Sequence, residues 1–412
     1  VGNKVYFKAQ TKSLNYPTDQ RIFAVINSLE KGDGIDRIYK LTKIDKWFLY
    51  KLKNVVETRA ELKKYSVSTL PKELLQHAKK QCYSDNQIAM LLGEKNELAI
   101  RELRKKFRII PFVKQIDTLA AEYPAKTNYL YLTYNGIEDD VDFKGKKQVI
   151  VLGSGAYRIG SSVEFDWCCV SAVRQLGKLG YGTIMVNYNP ETVSTDYDIC
   201  DKLYFDELSF ETVIDIYEKE NPLGLIVSTG GQIPNNLALK CHDYGLKILG
   251  TSAEKIDVAE NRHKFSKLCD ELSIDQPEWK ELTTEKDALS FAKKAVFPVL
   301  VRPSYVLSGQ AMKVAFNEPD LKAYLKEATS LSKEYPVVMS KFILNAHETE
   351  IDAVAEQGTI LCWAATEHVE NAGVHSGDAT MVMPPQRTYI ETIRKMKDIA
   401  SKIASELKIT GP

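Results

Sequence analysis

Regular alternation of short apolar runs with helical stretches begins near Lys147 and limits the possible folds more than any other feature of the sequence. Apolar runs occur at residues 148–152, 183–186, 224–227 and 247–249. Short runs rich in Val, Ile and Leu are typical of strands that are buried on both faces of a parallel sheet. The pattern therefore predicts an α/β domain built on a doubly wound parallel sheet.

The chain up to about residue 135 has a different pattern, which predicts a series of short helices. Ser84 is expected to cap one helix, and residues 97–107 are expected to form the next. Thr42 and Asp45 have the spacing of a capping box in front of another helix. The chain is thus predicted to begin with an all-α domain.

Charge and composition exclude several classes of function. The 412 residues contain 55 Lys and Arg and 55 Asp and Glu, so no net field favours nucleic acid or an anionic membrane. No apolar stretch is long enough to cross a bilayer. The seven cysteines are scattered without metal-binding spacing, which indicates reduced thiols in a cytoplasmic or, alternatively, mitochondrial protein. The first residues resemble no signal peptide and predict a segment of a longer chain.

A glycine-containing loop at 153–160 (GSGAYRIG) lies where a dinucleotide-binding loop would be. Its third glycine comes two residues late for that fingerprint. The second strand ends at Asn187 and not at the acidic residue that would hold a ribose hydroxyl. NAD binding is therefore disfavoured, and two alternatives stay open: a tight strand–helix turn, or a loop facing an anion or a channel.

The C-terminal part of the chain carries groups that phosphoryl transfer requires, namely cations for the phosphates and a mobile covering loop. Arg262 lies near the start of a predicted helix, and Arg302 lies at the end of a predicted buried strand. Small residues follow at 306–312, and a polar turn at 373–378 contains His375. The alternatives are surface salt bridges for the arginines and a purely structural histidine.

The order of these motifs resembles the carbamoyl-phosphate synthetase large chain, in its second, carbamate-phosphorylating half. The most specific motifs are RPSYVLSG at 302–309 and GVHSGD at 373–378, supported by RIGSSVEFDW at 158–167 and GGQ at 230–232. The resemblance covers essentially the whole chain and is closest to the multifunctional pyrimidine-pathway type. It implies that the α/β sheet belongs to a pre-ATP-grasp domain and that an incomplete ATP-grasp domain follows.

The implied domain boundaries are a helical oligomerisation domain at 1–146, the pre-ATP-grasp domain at 147–255, and the ATP-grasp domain at 256–412. By the same resemblance, Arg262 and Arg302 bind ATP phosphates. Further nucleotide-binding residues are implied to be Gly309 in the covering loop, Lys341 and Ile343 at the adenine, Glu348 at the ribose, and Gly373, Val374, His375 and Ser376 around the phosphoryl site.

Arg302 and His375 are the implied catalytic residues, and Glu164 is implied to lie along the route by which carbamate arrives. Without the resemblance, Glu348 would be interpreted as a solvated loop acid, and Glu164 as an acid that interacts with a helix N-terminus. The implied reaction converts carbamate and ATP to carbamoyl phosphate and ADP.

The implied cofactors are ATP with Mg²⁺ or Mn²⁺, and K⁺ is a further candidate. The divalent-metal ligands are expected beyond Pro412, so the chain alone is expected to be inactive and to bind nucleotide weakly. The implied partners are the first ATP-grasp half, a glutaminase, a regulatory domain and further copies of the chain, which associate through the helical domain. Nucleic acid and membranes are not expected partners.

Rival functions come from other protein classes. Residues 84–107 resemble a helix–turn–helix DNA-binding module, whose second helix would present Arg101, Arg104, Lys105, Lys106 and Arg108. Interleaved glutamates and the zero net charge oppose this interpretation. Another ATP-grasp carboxylase or ligase and a pure assembly scaffold are the remaining alternatives.

Overall fold

The computed structural model describes residues 14–143, 147–156, 164–282, 284–303, 313–331, 337–374 and 379–412. The chain divides into two compact units. The first contains residues up to 114 together with 132–141, and the second contains 115–131 together with 142–412.

Helices dominate the described part of the first unit. They are α1 (Arg21–Glu30), α2 (Ile35–Thr42), α3 (Lys46–Leu62), α4 (Lys72–Lys80), α5 (Asp85–Leu91) and α6 (Glu97–Lys106). Val25, Ile38 and Leu49 lie in one apolar cluster and Leu75 and Ile88 in another, and all five side chains are buried. These clusters agree with the predicted series of short helices.

Two predicted helix caps had different outcomes. Ser84 and Gln87 form the expected reciprocal capping box at the start of α5. The box predicted from Thr42 and Asp45 is wrong. Asp45 itself caps α3 by accepting a hydrogen bond from the Trp47 N–H at 2.8 Å. Thr42 is the last residue of α2, and its hydroxyl donates to the Ile38 carbonyl of the same helix. Thr42 and Asp45 therefore lie on either side of the turn between α2 and α3.

The helix–turn–helix interpretation fails on burial. Arg101 and Arg104 of α6 are buried side chains. Arg104 Nε lies 2.7 Å from Asp85 Oδ2, and Lys79 Nζ lies 2.9 Å from Asp85 Oδ1. Because these cations are enclosed with a carboxylate, they cannot reach a DNA backbone.

A seven-stranded sheet carries the predicted parallel core. Its strands are β1 (Phe112–Gln115), β2 (Tyr129–Thr133), β3 (Gln148–Leu152), β4 (Gly182–Val186), β5 (Lys202–Tyr204), β6 (Gly224–Ile226) and β7 (Ile248–Leu249), in the order β1-β2-β5-β4-β3-β6-β7. Strand β3 pairs in parallel with both β4 and β6. Four helices alternate with these strands: α7 (Glu164–Lys178), α8 (Phe210–Glu220), α9 (Gln232–Asp243) and α10 (Ala253–Glu260). The doubly wound prediction is confirmed.

The sequence pattern missed β1 and β2, because residues up to about 135 were expected to form helices only. Leu130 of β2 is buried and lies in register with Tyr204 of β5. Pairing between residues more than 70 positions apart decides this strand, and local periodicity does not reveal such pairing.

Two antiparallel sheets follow α11 (Arg262–Glu271). The first consists of β8 (Trp279–Leu282), β9 (Val299–Pro303), β10 (Lys313–Ala315) and β11 (Val337–Lys341), in the order β10-β9-β11-β8, with α12 (Glu285–Ala295) and α13 (Glu318–Leu331). The second consists of β12 (His347–Glu356), β13 (Thr359–Asn371) and β14 (Met381–Val382), followed by α14 (Ile390–Leu407). The strand that carries Arg302 is confirmed. Among the described helices, none combines the length and apolar character needed to cross a membrane.

Candidate functional site

Two arginines that are distant in sequence lie close together at the ends of their elements. Arg262 is the first residue of α11, where the Asn261 side chain caps the helix by accepting from the Lys264 N–H at 3.1 Å. Arg302 lies on β9 opposite Val338 of β11. Both arginines are half-buried. The structure thus brings together the two cations that the sequence singled out.

The charges of these two arginines are not compensated within the described residues. Burial lowers the pKa of Arg302 to about 10, and repulsion from Arg262 acts in the same direction. Burial also lowers the pKa of Arg262, although the nearby charge of Glu260 opposes this shift. The Nε atom of Arg302 is buried and has no hydrogen-bond partner among the described residues. Neither guanidinium forms an ion pair there, so the surface salt-bridge alternative fails.

This pair of guanidiniums can bind an anion. Arg262 stands at the positive end of the α11 dipole, where a cation is disfavoured and an anion is stabilised. Guanidinium groups match phosphate oxygens in geometry as well as in charge. The arrangement therefore suits a phosphate group that would approach both arginines.

Lys341 is the last residue of β11, and Ile343 lies two residues further along the chain. The Lys341 ammonium donates to the carbonyl of Val296 at 2.7 Å and to that of Phe297 at 3.3 Å. Its side chain is thus engaged with the turn before β9, which leaves only backbone groups for a ligand. Ile343 is exposed just beyond the strand.

Glu348 contacts the turn that the sequence predicted to line the site. Its Oε2 accepts a hydrogen bond from the Gly373 N–H at 3.4 Å. Gly373 has φ +109°, a conformation that favours glycine, and Val374 follows it with a partly exposed side chain. Glu348, Gly373 and Val374 are therefore brought together. The predicted site residues Gly309, His375 and Ser376 lie outside the described residues.

A second cluster of ligand atoms involves Glu350 and His368, which the sequence analysis missed. Single ligand atoms of Glu348, Glu350 and His368 all lie within 4.8 Å of one another. His368 is buried, and its Nε2 lies 3.1 Å from Glu350 Oε1. Two carboxylates and one imidazole could hold a cation. The available signal was the two-residue spacing of Glu348 and Glu350, which places both on one face of β12.

Residues 153–156, the described part of the glycine loop after β3, pack closely against their neighbours. A Cβ atom on Gly153 would lie 2.6 Å from Asn187 Cγ, and one on Gly155 would lie 2.9 Å from the Tyr188 hydroxyl. Asn187 Oδ1 accepts from the Gly155 N–H at 3.0 Å. Gly153 and Gly155 therefore allow close packing against the residues that follow β4, in agreement with the tight-turn alternative, and Gly160 lies outside the described residues. Glu164 is an exposed residue at the start of α7.

Three family models match successive parts of the chain. The carbamoyl-phosphate synthetase large chain oligomerisation domain matches residues 4–108. The carbamoyl phosphate synthase preATP-grasp domain matches 145–258. The carbamoyl-phosphate synthase L chain ATP binding domain matches 261–412.

Curated relatives match nearly the whole chain. Multifunctional protein CAD of Squalus acanthias is 56% identical over 405 residues, which cover 98% of this chain and 18% of that protein. Multifunctional protein URA2 of Saccharomyces cerevisiae is 54% identical over 401 residues, covering 97% of this chain and 18% of the relative. The mitochondrial arginine-specific carbamoyl phosphate synthase large chain of Schizosaccharomyces pombe is 54% identical over 408 residues, which cover 98% of this chain and 35% of that protein. The chain thus spans a minor part of each relative.

Solved structures agree on the fold. The biotin carboxylase domain of Hydrogenobacter thermophilus 2-oxoglutarate carboxylase aligns with a TM-score of 0.51 at 17% identity, covering 65% of this chain and 59% of that one. At this identity the match supports an ATP-grasp type of fold and nothing finer. The three family models, which match residues 4–108, 145–258 and 261–412, and the 54–56% identity to relatives over nearly the whole chain show that the chain belongs to the carbamoyl-phosphate synthetase large-chain family.

Proposed function

We propose that the chain supplies the ATP-binding residues with which a larger synthetase phosphorylates carbamate, giving carbamoyl phosphate and ADP. The observation that carries this proposal is the pair of half-buried guanidiniums, at Arg262 and Arg302, without a carboxylate partner among the described residues. The 54–56% identity to multifunctional proteins and to an arginine-specific synthetase favours this reaction over that of another ATP-grasp carboxylase or ligase.

In the proposed reaction, a carbamate oxygen attacks the γ-phosphorus of ATP, and ADP leaves with the electrons of the broken P–O bond. Carbamate and the triphosphate are both anions, so their repulsion opposes this approach. Arg262 and Arg302 would reduce that repulsion and stabilise the charge that spreads over the transferred group. Gly309, His375 and Ser376 would complete the phosphoryl site.

The remaining predicted residues have supporting roles in this proposal. Backbone groups at Lys341 and Ile343 would bind the adenine, since the Lys341 ammonium is engaged elsewhere. Glu348, with Gly373 and Val374, would line the ribose and phosphate side. Glu164 would lie along the path of carbamate. The domain boundaries at 146 and 255 stay predictions.

The proposed protein is a multifunctional enzyme of pyrimidine biosynthesis in the cytoplasm, with a mitochondrial arginine-specific synthetase as the alternative. The first ATP-grasp half, a glutaminase, a regulatory domain and further copies of the chain are its proposed partners. Mg²⁺ or Mn²⁺ bound together with ATP would neutralise part of the charge of its phosphates.

The reverse reaction tests this function, because it needs only MgADP and carbamoyl phosphate and yields ATP. In the chain joined to the remaining synthetase segments, Arg302→Ala should lower the rate of ATP formation about a hundredfold or more. Arg394→Ala, which changes an exposed residue of α14, is the matched control and should leave the rate unchanged. Equal rates for both variants would contradict the proposal. The 412-residue chain alone is expected to show no turnover and only weak MgATP binding by calorimetry.

We also propose that Glu348, Glu350 and His368 bind a cation beside the nucleotide, with Mn²⁺ as the first candidate, because K⁺ prefers oxygen ligands whereas this set includes an imidazole nitrogen. The support is the 4.8 Å cluster of their ligand atoms. A cation that binds only the folded chain raises the free energy of unfolding by about 1.4 kcal/mol at ten times its Kd. Thermal unfolding with MnCl₂, against tetramethylammonium chloride at equal ionic strength, measures this effect. Glu350→Gln should abolish it, and equal stabilisation by both salts would rule out the site.

A further inference from the structure

The junction between α10 and α11 places an acid beside one of the two arginines. Glu260 ends α10, Asn261 caps α11, and Arg262 begins α11. The negative charge of Glu260 acts to raise the pKa of Arg262, yet the two side chains form no ion pair among the described contacts. A carboxylate this close would be the natural competitor of a phosphate for the Arg262 guanidinium.

A residue from the preceding helix holds this carboxylate. Asn235 lies on α9, which packs beside α10, and its Nδ2 donates a hydrogen bond to Glu260 Oε1 at 2.8 Å. The Oδ1 atom of Asn235 is buried and has no partner among the described residues. The Asn235 amide is therefore enclosed, with its donor group directed to Glu260.

We propose that Asn235 is a positioning residue, which keeps Glu260 from pairing with Arg262 and so leaves both arginines open to the phosphates of a nucleotide. This inference rests on the proposed function, because it requires the two arginines to form an anion site. Glu260 then has two possible partners, the Asn235 amide and the Arg262 guanidinium. If the Asn235 amide is removed, the Glu260 carboxylate is expected to pair with the Arg262 guanidinium, and this pairing would weaken phosphate binding.

The test measures the affinity of the 412-residue chain for inorganic tripolyphosphate at low salt, by phosphorus NMR titration into the millimolar range. Asn235→Ala should weaken binding about tenfold, a size found for groups coupled within one network. Asn236→Ala is the matched control, since it changes the next residue of the same helix at an exposed position. Its affinity should stay within about twofold of the wild type. Circular dichroism and thermal unfolding establish that each variant is folded.

The decisive variant combines Asn235→Ala with Glu260→Gln. If Asn235 acts by restraining the Glu260 charge, neutralising that charge should restore binding to within about twofold of the Glu260→Gln single variant. If Asn235 merely supports the helix packing, the double variant stays as weak as Asn235→Ala, and the inference is wrong. An Asn235→Ala chain that binds like the wild type also overturns it.

The Arg302→Ala variant distinguishes the positioning role of Asn235 from the two-arginine anion site on which that role depends. If Arg302→Ala binds tripolyphosphate as tightly as the wild type, or if the wild type does not bind at all, the two-arginine anion site is wrong and the inference falls with it. If Arg302→Ala weakens binding while Asn235→Ala does not, only the role of Asn235 is refuted.

Discussion

Buried basic side chains occur in two regions of this chain, and their surroundings differ in one respect. In the helical unit, Lys79 and Arg104 enclose Asp85, whose two carboxylate oxygens lie 2.9 and 2.7 Å from them. In the second unit, Arg262 and Arg302 are half-buried beside each other without such a carboxylate among the described residues.

The difference separates a structural charge from a charge reserved for a ligand. Removing a charge from water costs several kcal/mol, and a nearby opposite charge can offset this cost. Asp85 provides that offset inside the chain. At Arg262 and Arg302 a bound phosphate would supply the opposite charge. Part of its binding energy would therefore come from compensating two guanidiniums that have no carboxylate partner among the described residues.

Removal of Asp85 should give the largest effect on stability. Asp85→Asn keeps the shape of the side chain but removes the negative charge that the buried Lys79 and Arg104 both contact. The free energy of unfolding should fall by about 3–5 kcal/mol, the usual cost of breaking a buried ion pair from one side. Denaturant titration followed by circular dichroism measures this change.

Asp36→Asn is the control for that measurement. Asp36 also pairs with a lysine, Lys46, but both side chains are largely exposed. An exposed pair contributes little to stability, so this variant should unfold almost like the wild type. A similar, small loss for both variants would remove the distinction between buried compensation and surface pairing.

Arg302→Met should weaken phosphate binding without lowering the free energy of unfolding. Because it replaces a half-buried charge, which has no ion-pair partner among the described residues, by an unbranched apolar side chain, the free energy of unfolding without ligand should stay equal or rise by about 1 kcal/mol. Tripolyphosphate affinity should fall at least about tenfold, as expected for lost hydrogen bonds to a charged group. Denaturant and phosphate titrations of the same preparation measure both quantities.

Arg394→Met, on the exposed face of α14, should change neither quantity. A loss of stability in Arg302→Met as large as that of Asp85→Asn would mean that Arg302 is structural. The comparison between the two regions would then fail.

The sequence predicted the sheet core and the two arginines for different reasons. The apolar runs at β3, β4 and β6 are strands by local pattern alone. Arg302 was found because it ends such a run, and Arg262 because it begins a helix. Their half-burial without a partner is a property of packing between distant elements, which no local pattern encodes.

The same reason explains what the sequence analysis missed. Asp85 was not singled out, and Arg104 was considered only as a base of the helix–turn–helix alternative, because their pairing depends on how α5 packs against α6. His368 was overlooked because β13 brings it to Glu350 only through the pairing with β12. In each case the missing information was a contact between elements and not the chemistry of a residue.

The smallest predicted effect concerns Glu367, a neighbour of His368 whose carboxylate is satisfied within the chain. Its oxygens accept from the Arg387 N–H at 2.9 and 3.1 Å and from the Thr388 hydroxyl at 2.8 Å. These hydrogen bonds lower the pKa of Glu367 below 4.5. The ionised form is therefore favoured by folding, and its contribution to stability is present above pH 4.5 and is lost as the pH falls through the lowered pKa. Denaturant titrations from pH 7 to pH 3 should show Glu367→Gln less stable than the wild type at pH 7, with the gap closing at acid pH. A constant gap would mean that the carboxylate charge plays no part in holding the turn before α14.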